Sequence, residues 1–150
     1  MDELTTAEAR ALLAELPVGH VGVVAEGRPY VTPMSYVVVR DTVWFRTVAG
    51  RRLDAIRTSP VVSMAAARWD DSGHWDSVIV SGVARVVEDP NREADVVAAL
   101  LHKYPEAEGS PLALSGPALE RRYIVSLEID EISARTSGGG LNPPTRPGRL

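Results

Sequence analysis

The alternation of apolar and polar residues along the chain predicts strands more often than helices. Stretches in which every second residue is apolar are typical of strands with one buried face. The connections before residue 47 have the length of hairpins, which favours antiparallel pairing. Six closely spaced strands indicate a mainly β fold, a barrel rather than a doubly wound sheet. The alternation predicts these strands over residues 18–25, 30–39, 42–47, 61–68, 77–87 and 122–133, the last with one slip in phase.

Apolar residues at helical spacing predict three helices between these strands. Thr5-Thr6-Ala7-Glu8 is a capping-box pattern that opens the first helix, and Pro17 ends it. A short amphipathic helix is predicted to start near Arg51. Asp89-Pro90 opens the third helix, because it combines an N-cap acid with proline at the first helical position. The spacing in this third helix directs four side chains inward: Val96, Val97, Leu100 and Leu101.

Length and composition indicate one globular domain followed by a tail. A chain of 150 residues with 45% apolar and 24% charged residues is ordinary for a single domain. We expect this domain to cover residues 1–136. Residues 105–117 are predicted to form a loop. Residues 137–150 contain four glycines and three prolines without apolar periodicity, which predicts a flexible tail.

Charge and residue content argue against several classes of function. The formal net charge of −4 argues against a general nucleic-acid binder. No apolar run approaches the roughly 18 residues of a membrane span, and the acidic N-terminus has no apolar leader. The absence of cysteine excludes thiolate metal sites and fits a cytoplasmic protein. No metal site is expected either, because His20, His74 and His102 have no ligand spacing around them.

The segment over residues 42–60 is basic in this otherwise acidic chain. Four arginines fall within twelve residues there, beside a single acid, Asp54. A helix start has unpaired backbone N–H groups and the positive end of a dipole, which suit a phosphate. The sequence therefore predicts a phosphate site formed by Arg46, Thr47, Arg51 and Arg52.

The alternative interpretation of this segment is a solvated helix face. On such a face Arg51 or Arg52 pairs with Asp54, an interaction that contributes little to stability. Arginine also supplies fifteen of the sixteen basic residues, Lys103 being the exception, so its abundance alone is weak support for phosphate binding. No phosphate-binding loop or nucleophile elbow is present, and no partner base accompanies the acids Asp70-Asp71.

Four segments occur in an order and spacing that resemble one known family. They are residues 19–24 (GHVGVV), 28–36 (RPYVTPMSY), 43–47 with 50–53 (VWFRT, GRRL) and 75–84 (WDSVIVSGVA). In chain order they resemble the first strand, the second strand, the phosphate-binding strand with its helix start, and the partner-facing strand of the pyridoxamine-phosphate-oxidase-like family of flavin-binding split β-barrels. The resemblance covers residues 12–89 and, more loosely, the last strand.

This resemblance implies a six-stranded antiparallel split β-barrel that forms a homodimer. It further implies two cofactor sites at the subunit interface. The implied cofactor is FMN or, alternatively, the deazaflavin coenzyme F-420. The residues implied at the cofactor are Pro33, Met34, Ser35 and Tyr36 along its ring, and Trp75 and Ser81 near the interface.

Each of these residues also has an ordinary structural interpretation. Alternation sends only half of a strand to one face, so Met34 or Tyr36 could belong to the core. Trp75 at a strand start could pack on its own subunit.

The implied function is a flavin- or deazaflavin-dependent oxidoreductase acting on a small molecule. The alternative is a non-catalytic dimer that binds flavin or haem. Two departures from the family pattern narrow the expectation. Arg46 stands where relatives often carry histidine or another polar residue. Residues 132–150 lack the basic and aromatic pattern of the oxidase proper, so pyridoxamine-phosphate oxidase activity itself is not expected.

Overall fold

The computed structural model describes residues 1–105 and 121–137 of the chain. The predicted loop over residues 105–117 and the predicted tail over residues 137–150 lie almost entirely outside this part. The described elements are β1 (Asp2–Glu3), α1 (Thr6–Glu15), β2 (Gly19–Ala25), β3 (Arg28–Met34), β4 (Val37–Val39), β5 (Thr42–Val48), α2 (Arg51–Thr58), β6 (Val61–Trp69), β7 (Trp75–Val87), α3 (Pro90–Lys103) and β8 (Arg122–Thr136).

The strands form one antiparallel sheet, which confirms the predicted mainly β class. The order across the sheet is β3-β2-β6-β7-β8-β5-β4, and β1 pairs with the far end of β8. Every pairing in the sheet is antiparallel, including the hairpins β2–β3, β4–β5 and β6–β7. The apolar inner faces of the strands, together with α1 and α2, enclose the main core.

The predicted count of six strands is wrong, because the described part of the chain holds eight. One addition is β1, too short to show a pattern. The other arises because the strand predicted over residues 30–39 breaks at Ser35 and Tyr36. Tyr36 turns its side chain into the core, where its hydroxyl donates to the Leu13 carbonyl at 2.5 Å. Its own carbonyl accepts a hydrogen bond at 3.0 Å from Lys103, at the end of α3.

The slip predicted in the last strand is confirmed as a β-bulge. Ser81 lies opposite Glu131, whereas Gly82 lies opposite Ile129, so Asp130 is the additional residue on β8. A Cβ on Gly82 would lie 1.8 Å from the Glu128 carbonyl oxygen. The bulge therefore brings two backbones so close that only glycine fits there.

The third helix covers a smaller core outside the barrel. Val96 and Leu100 of α3 pack there with Val37, Trp44 and Ile124. The inward orientation predicted for Leu101 is wrong, because this side chain is 43% exposed.

Candidate functional site

The sheet has one edge at β3 and the other at β5 with the short β4, and an opening lies between β3 and β5. β4 pairs only with residues 42–44 of β5, and among the described residues no strand pairs with the outer edge of β3. We call this opening the seam. Across the seam, β3 and β5 are connected by side chains rather than by a ladder of backbone hydrogen bonds.

Arg52, in the first turn of α2, bridges the seam. Its Nη1 donates to the Thr32 hydroxyl of β3. Its Nε and Nη2 donate to Thr47 Oγ1 of β5 at 3.3 and 3.2 Å. A guanidinium carries five N–H donors in a fixed plane, so two remain for another acceptor. The bridge thus holds a cation in one orientation.

The start of α2 adds further donors beside this cation. Its N-cap is Gly50, and no side chain caps the helix. The first intrahelical bond runs from Asp54 N to the Gly50 carbonyl at 3.0 Å, so the earlier N–H groups of the helix have no intrahelical acceptor. These N–H groups and the positive end of the helix dipole favour an anion.

A small cavity lies at this place. It measures about 160 Å³ and is lined by Tyr30, Thr32, residues 47–50, Arg51 and Arg52. Ligand pockets for whole drug-sized molecules span roughly 300–1,000 Å³, so this one accommodates a single group such as a phosphate. We call it the anion cleft.

The two arginines of the anion cleft differ in their surroundings. Arg52 is half-buried, and this burial lowers the pKa of its guanidinium, although the group stays charged at neutral pH. Arg51 is exposed and lies over the Tyr30 ring, 5.0 Å from its centroid. Within the described residues no carboxylate forms an ion pair with either arginine. The alternative of surface pairs with Asp54 is therefore not seen.

Arg46 does not join the anion cleft. It is the neighbour of Thr47 on β5, and alternation sends the two side chains to opposite faces of the strand. Burial, with the nearby Arg122 charge, lowers the pKa of Arg46, while Glu93 acts in the opposite direction. Its buried Nε has no hydrogen-bond partner among the described residues. The structure thus brings together three of the four predicted phosphate ligands: Thr47, Arg51 and Arg52.

The residues predicted along a cofactor ring separate into two groups. Met34 and Tyr36 are buried in the main core, so their side chains are not available at the surface. Pro33 is exposed and Ser35 is half-buried. Alternation and the strand break at Ser35 together leave this pair as the accessible half of the predicted set.

Trp75 and Ser81 lie away from the anion cleft, on the outer side of β7. Two strands, β2 and β6, separate β7 from β3 in the sheet. Trp75 lies opposite the exposed Trp69, and the Ser81 hydroxyl is 2.9 Å from that of Ser63. We call this side of the sheet the outward face; across it lie Val31, Gly22, Ser63, Ser81, His20, Ala65, Ile79 and Ser133.

Two residues of the anion cleft, Thr32 and Tyr30, were not predicted from the sequence. They are two positions apart on β3 and therefore share a face of that strand. The i, i+2 spacing of Tyr30 and Thr32 could have predicted both residues in the cleft, if a contact between Arg52 and β3 had been expected.

Residues 1–105 and 121–137 contain neither a cluster of metal-binding side chains nor a helix that could span a membrane. No group of three or more histidine, aspartate or glutamate side chains is arranged to hold a metal ion. None of the helices described there has both the length and the apolarity needed to cross a membrane.

Comparison with known proteins gives consistent matches. The family model described as "Pyridoxamine 5'-phosphate oxidase" matches residues 5–136. An uncharacterized protein of Rhizobium meliloti (strain 1021) is 24% identical over 144 residues, which cover 89% of this chain and 93% of that protein. The crystal structure of a FAD-binding protein of Mesorhizobium loti is similar with a TM-score of 0.75 at 23% identity, covering 91% of this chain and 98% of that one. A FAD-binding protein of Mycobacterium smegmatis has a TM-score of 0.68 at 25% identity, covering 90% and 97%.

Proposed function

The chain belongs to the pyridoxamine 5'-phosphate oxidase family, and on that premise we propose that it binds a flavin through a phosphate in the anion cleft. The observation that carries this proposal is the Arg52 bridge between Thr32 and Thr47, beside a helix start that has no cap of its own. The description of two similar structures as FAD-binding proteins supports a flavin as the ligand class. FMN is the proposed cofactor unit, with the deazaflavin coenzyme F-420 as the alternative.

The residues of the anion cleft fit a phosphate by chemistry and by position. Arg52 and Arg51 supply positive charge, and guanidinium groups match the oxygen spacing of a phosphate. Thr32 and Thr47 hold Arg52 in place, so little side-chain entropy remains to be lost when the anion binds.

The proposed activity is oxidoreduction of a small molecule. A bound flavin supplies the electron chemistry, so the chain's share is to bind and orient it. Arg51, Arg52 and the helix start fix one end of the cofactor. The accessible Pro33 and Ser35 follow Thr32 along the chain and are the residues that we propose contact the ring.

We further propose a homodimer formed through the outward face. On this face Val31 is 60% exposed and Ile79 is 54% exposed, among glycine, alanine and serine residues of the neighbouring strands. Exposed apolar patches of this kind mark interaction sites. A second copy seated there would bring its Trp75 and Ser81 toward the accessible side of β3, which one chain alone does not achieve.

Absorbance and binding of the purified protein test the cofactor proposal. We expect flavin absorbance bands, or binding of added FMN, and weaker binding of riboflavin, which lacks the phosphate. A Soret band would instead support the haem alternative. A colourless protein that binds neither flavin nor deazaflavin would overturn the proposal.

Sedimentation tests the dimer independently. The variant Ile79→Arg places a charge in the outward face, and we expect a monomer with reduced cofactor affinity. Leu101→Arg, on an exposed apolar residue of α3, is the matched control and should remain dimeric. A wild-type monomer at micromolar concentration would contradict the assembly.

A further inference from the structure

The break between β3 and β4 leaves two residues without a place in the sheet. β3 ends at Met34 and β4 begins at Val37, so the two residues between them belong to neither strand. Of these two, Tyr36 is fully buried. A buried backbone N–H or carbonyl needs a hydrogen-bond partner, and no neighbouring strand provides one at this position. The backbone of Tyr36 therefore depends on contacts from elsewhere in the chain.

Two side chains at the end of α3 supply these contacts. The Tyr104 hydroxyl accepts a hydrogen bond from Tyr36 N at 3.1 Å, and it donates to the Pro17 carbonyl at 2.9 Å. It also lies 3.1 Å from the Tyr36 carbonyl oxygen, but a hydroxyl has a single proton. The Lys103 amine donates to that carbonyl at 3.0 Å. Lys103 and Tyr104 thus satisfy both backbone groups of Tyr36, and we call this pair the α3 clamp.

The α3 clamp also reaches Ser35. Burial raises the pKa of the Tyr104 hydroxyl, whereas hydrogen bonding with the Tyr36 backbone and with the Ser35 side chain lowers it. The half-buried Ser35 therefore lies against Tyr104 while part of it remains accessible. The Lys103 amine adds cation–π contacts, 3.9 Å from the centroid of the Tyr36 ring and 5.3 Å from that of Tyr104. The position of Ser35 is thus set by α3 rather than by a strand ladder.

This arrangement is separate from the anion cleft. Neither Lys103 nor Tyr104 lines that cleft, and both are far from Arg52 in the sequence. A flavin ring needs polar groups that are held in fixed positions along its edge. The clamp fixes the one accessible hydroxyl among the residues proposed to contact the ring, that of Ser35.

We infer that Lys103 and Tyr104 are positioning residues for the flavin ring, acting through Ser35. The inference rests on the proposed function, because it takes the ring to lie against Pro33 and Ser35. Both clamp residues act on the backbone of residues 35–36 rather than by touching the cofactor. The phosphate end of the cofactor is then fixed by α2 and the ring end by α3.

Titration of the full-length protein with FMN and with riboflavin, which has the ring but no phosphate, tests this inference. Tyr104→Phe removes the hydroxyl and keeps the aromatic ring. We expect both affinities to fall by the same factor, about three- to tenfold, as for one lost hydrogen bond. Arg52→Ala should instead weaken the binding of FMN much more than that of riboflavin. The visible circular dichroism of bound FMN, which reports the surroundings of the ring, should change in Tyr104→Phe and not in Arg52→Ala.

Lys103→Met is the second variant, and it removes the amine while keeping an unbranched apolar chain. It should alter the two affinities and the visible circular dichroism in the same direction as Tyr104→Phe. Lys103→Arg restores a charged donor and should recover most of the loss. His102→Met, at the exposed neighbouring position, is the matched control and should behave as the wild type. All variants are compared below their unfolding temperatures, where reduced stability alone changes neither reading.

The outcomes separate this inference from the proposed function. If the wild-type protein binds FMN and both Tyr104→Phe and Lys103→Met leave the affinities and the circular dichroism unchanged, the inference is overturned and the proposed function stands. A loss for FMN without a loss for riboflavin would also overturn it, since the clamp would then act on the phosphate end. A wild-type protein that binds no flavin would refute the proposed function, and this inference with it.

Discussion

The start of α1 is capped by its own side chains, whereas the start of α2 has no side-chain cap. At α1 the Thr5 hydroxyl accepts from Glu8 N at 3.2 Å, and the Glu8 carboxylate accepts from Thr5 N at 3.4 Å. At α2 the N-cap is Gly50, which has no side chain to offer. The first helix satisfies its own terminal donors, whereas the second leaves them for something else. The uncapped start of α2 lies beside Arg51 and Arg52, which form no ion pair among the described residues, and it is the place where we propose that an anion binds.

The start of α3 strengthens this comparison. Asp89 accepts a hydrogen bond from Asn91 N at 3.0 Å, and Pro90 removes one donor altogether. Two of the three described helices therefore close their own starts. Only the helix at the seam does not.

The largest expected effect comes from removing the cation at the open helix start. Arg52→Ala should weaken FMN binding by about 1.5–3 kcal/mol, the range for a hydrogen bond to a charged group. Titration monitored by flavin fluorescence measures it. Arg57→Ala, in the last turn of the same helix, removes the same charge away from the cleft and should change little. If Arg51→Ala/Arg52→Ala together leave the affinity unchanged, the phosphate assignment is wrong.

A substitution at the capped start of α1 should change the stability of the fold and leave the affinity for FMN unchanged. Thr5→Ala removes the capping box of α1 and should lower the free energy of unfolding by about 1 kcal/mol, as for other N-cap losses. Denaturant unfolding measures this change. The affinity for FMN should stay as in the wild type, since α1 does not line the anion cleft. A joint loss of stability and affinity would break the distinction between the two starts.

The last turn of α3 carries a half-buried amine that titrates, that of Lys103. The Lys103 amine donates to the Tyr36 carbonyl and lies 3.9 Å from the Tyr36 ring centroid. Burial lowers the pKa of Lys103 to about 8. Between pH 8 and the ordinary lysine value the unfolded chain binds more protons, so this residue makes stability rise with pH.

Lys103 is the single lysine, which makes the measurement direct. The NMR signal of the methylated amine should titrate with a midpoint near 8. The rise in stability between pH 8 and 9.5 should be smaller in Lys103→Met. Above that window the buried Tyr36 and the half-buried Tyr104, whose pKa values are raised by burial, act in the opposite direction. A midpoint at the ordinary value for lysine would contradict the burial of this amine.

The smallest expected effect concerns Arg46, the predicted ligand that lies on the other face of β5. Arg46→Ala should leave the affinity for FMN within measurement error, in contrast to Arg52→Ala. The same fluorescence titration applies. A loss as large as that of Arg52→Ala would show that the cofactor reaches both faces of the strand.

Local patterns predicted the parts of the fold that depend on neighbours in sequence. The capping box of α1, the Asp89-Pro90 start of α3 and the bulge in β8 were all visible in the chain. The break at Tyr36 was not, because the groups that hold its backbone, Lys103 and Tyr104, are 67 and 68 residues away.

The candidate site shows the same limit. The placement of Thr47, Arg51 and Arg52 followed from a strand joined to a helix by a short turn. Thr32 meets Arg52 only because the sheet curls until β3 approaches β5, and no local pattern encodes that approach. The prediction that Arg46 joins this site was wrong, and the sequence already held the reason, since alternation along a strand sends Arg46 and Thr47 to opposite faces.

The tryptophans make the outward face optically distinct. Trp44 is only 8% exposed, whereas Trp69 is 72% exposed and faces Trp75 across the hairpin. The tryptophan fluorescence of the monomer should therefore contain a component at longer wavelength from the exposed hairpin and one at shorter wavelength from the buried Trp44. A second copy covering the outward face would shift only the longer-wavelength component, toward shorter wavelength. A flavin bound nearby would quench that component by energy transfer. Trp69 and Trp75 thus provide an intrinsic fluorescent probe of the surface through which we propose that a second copy binds.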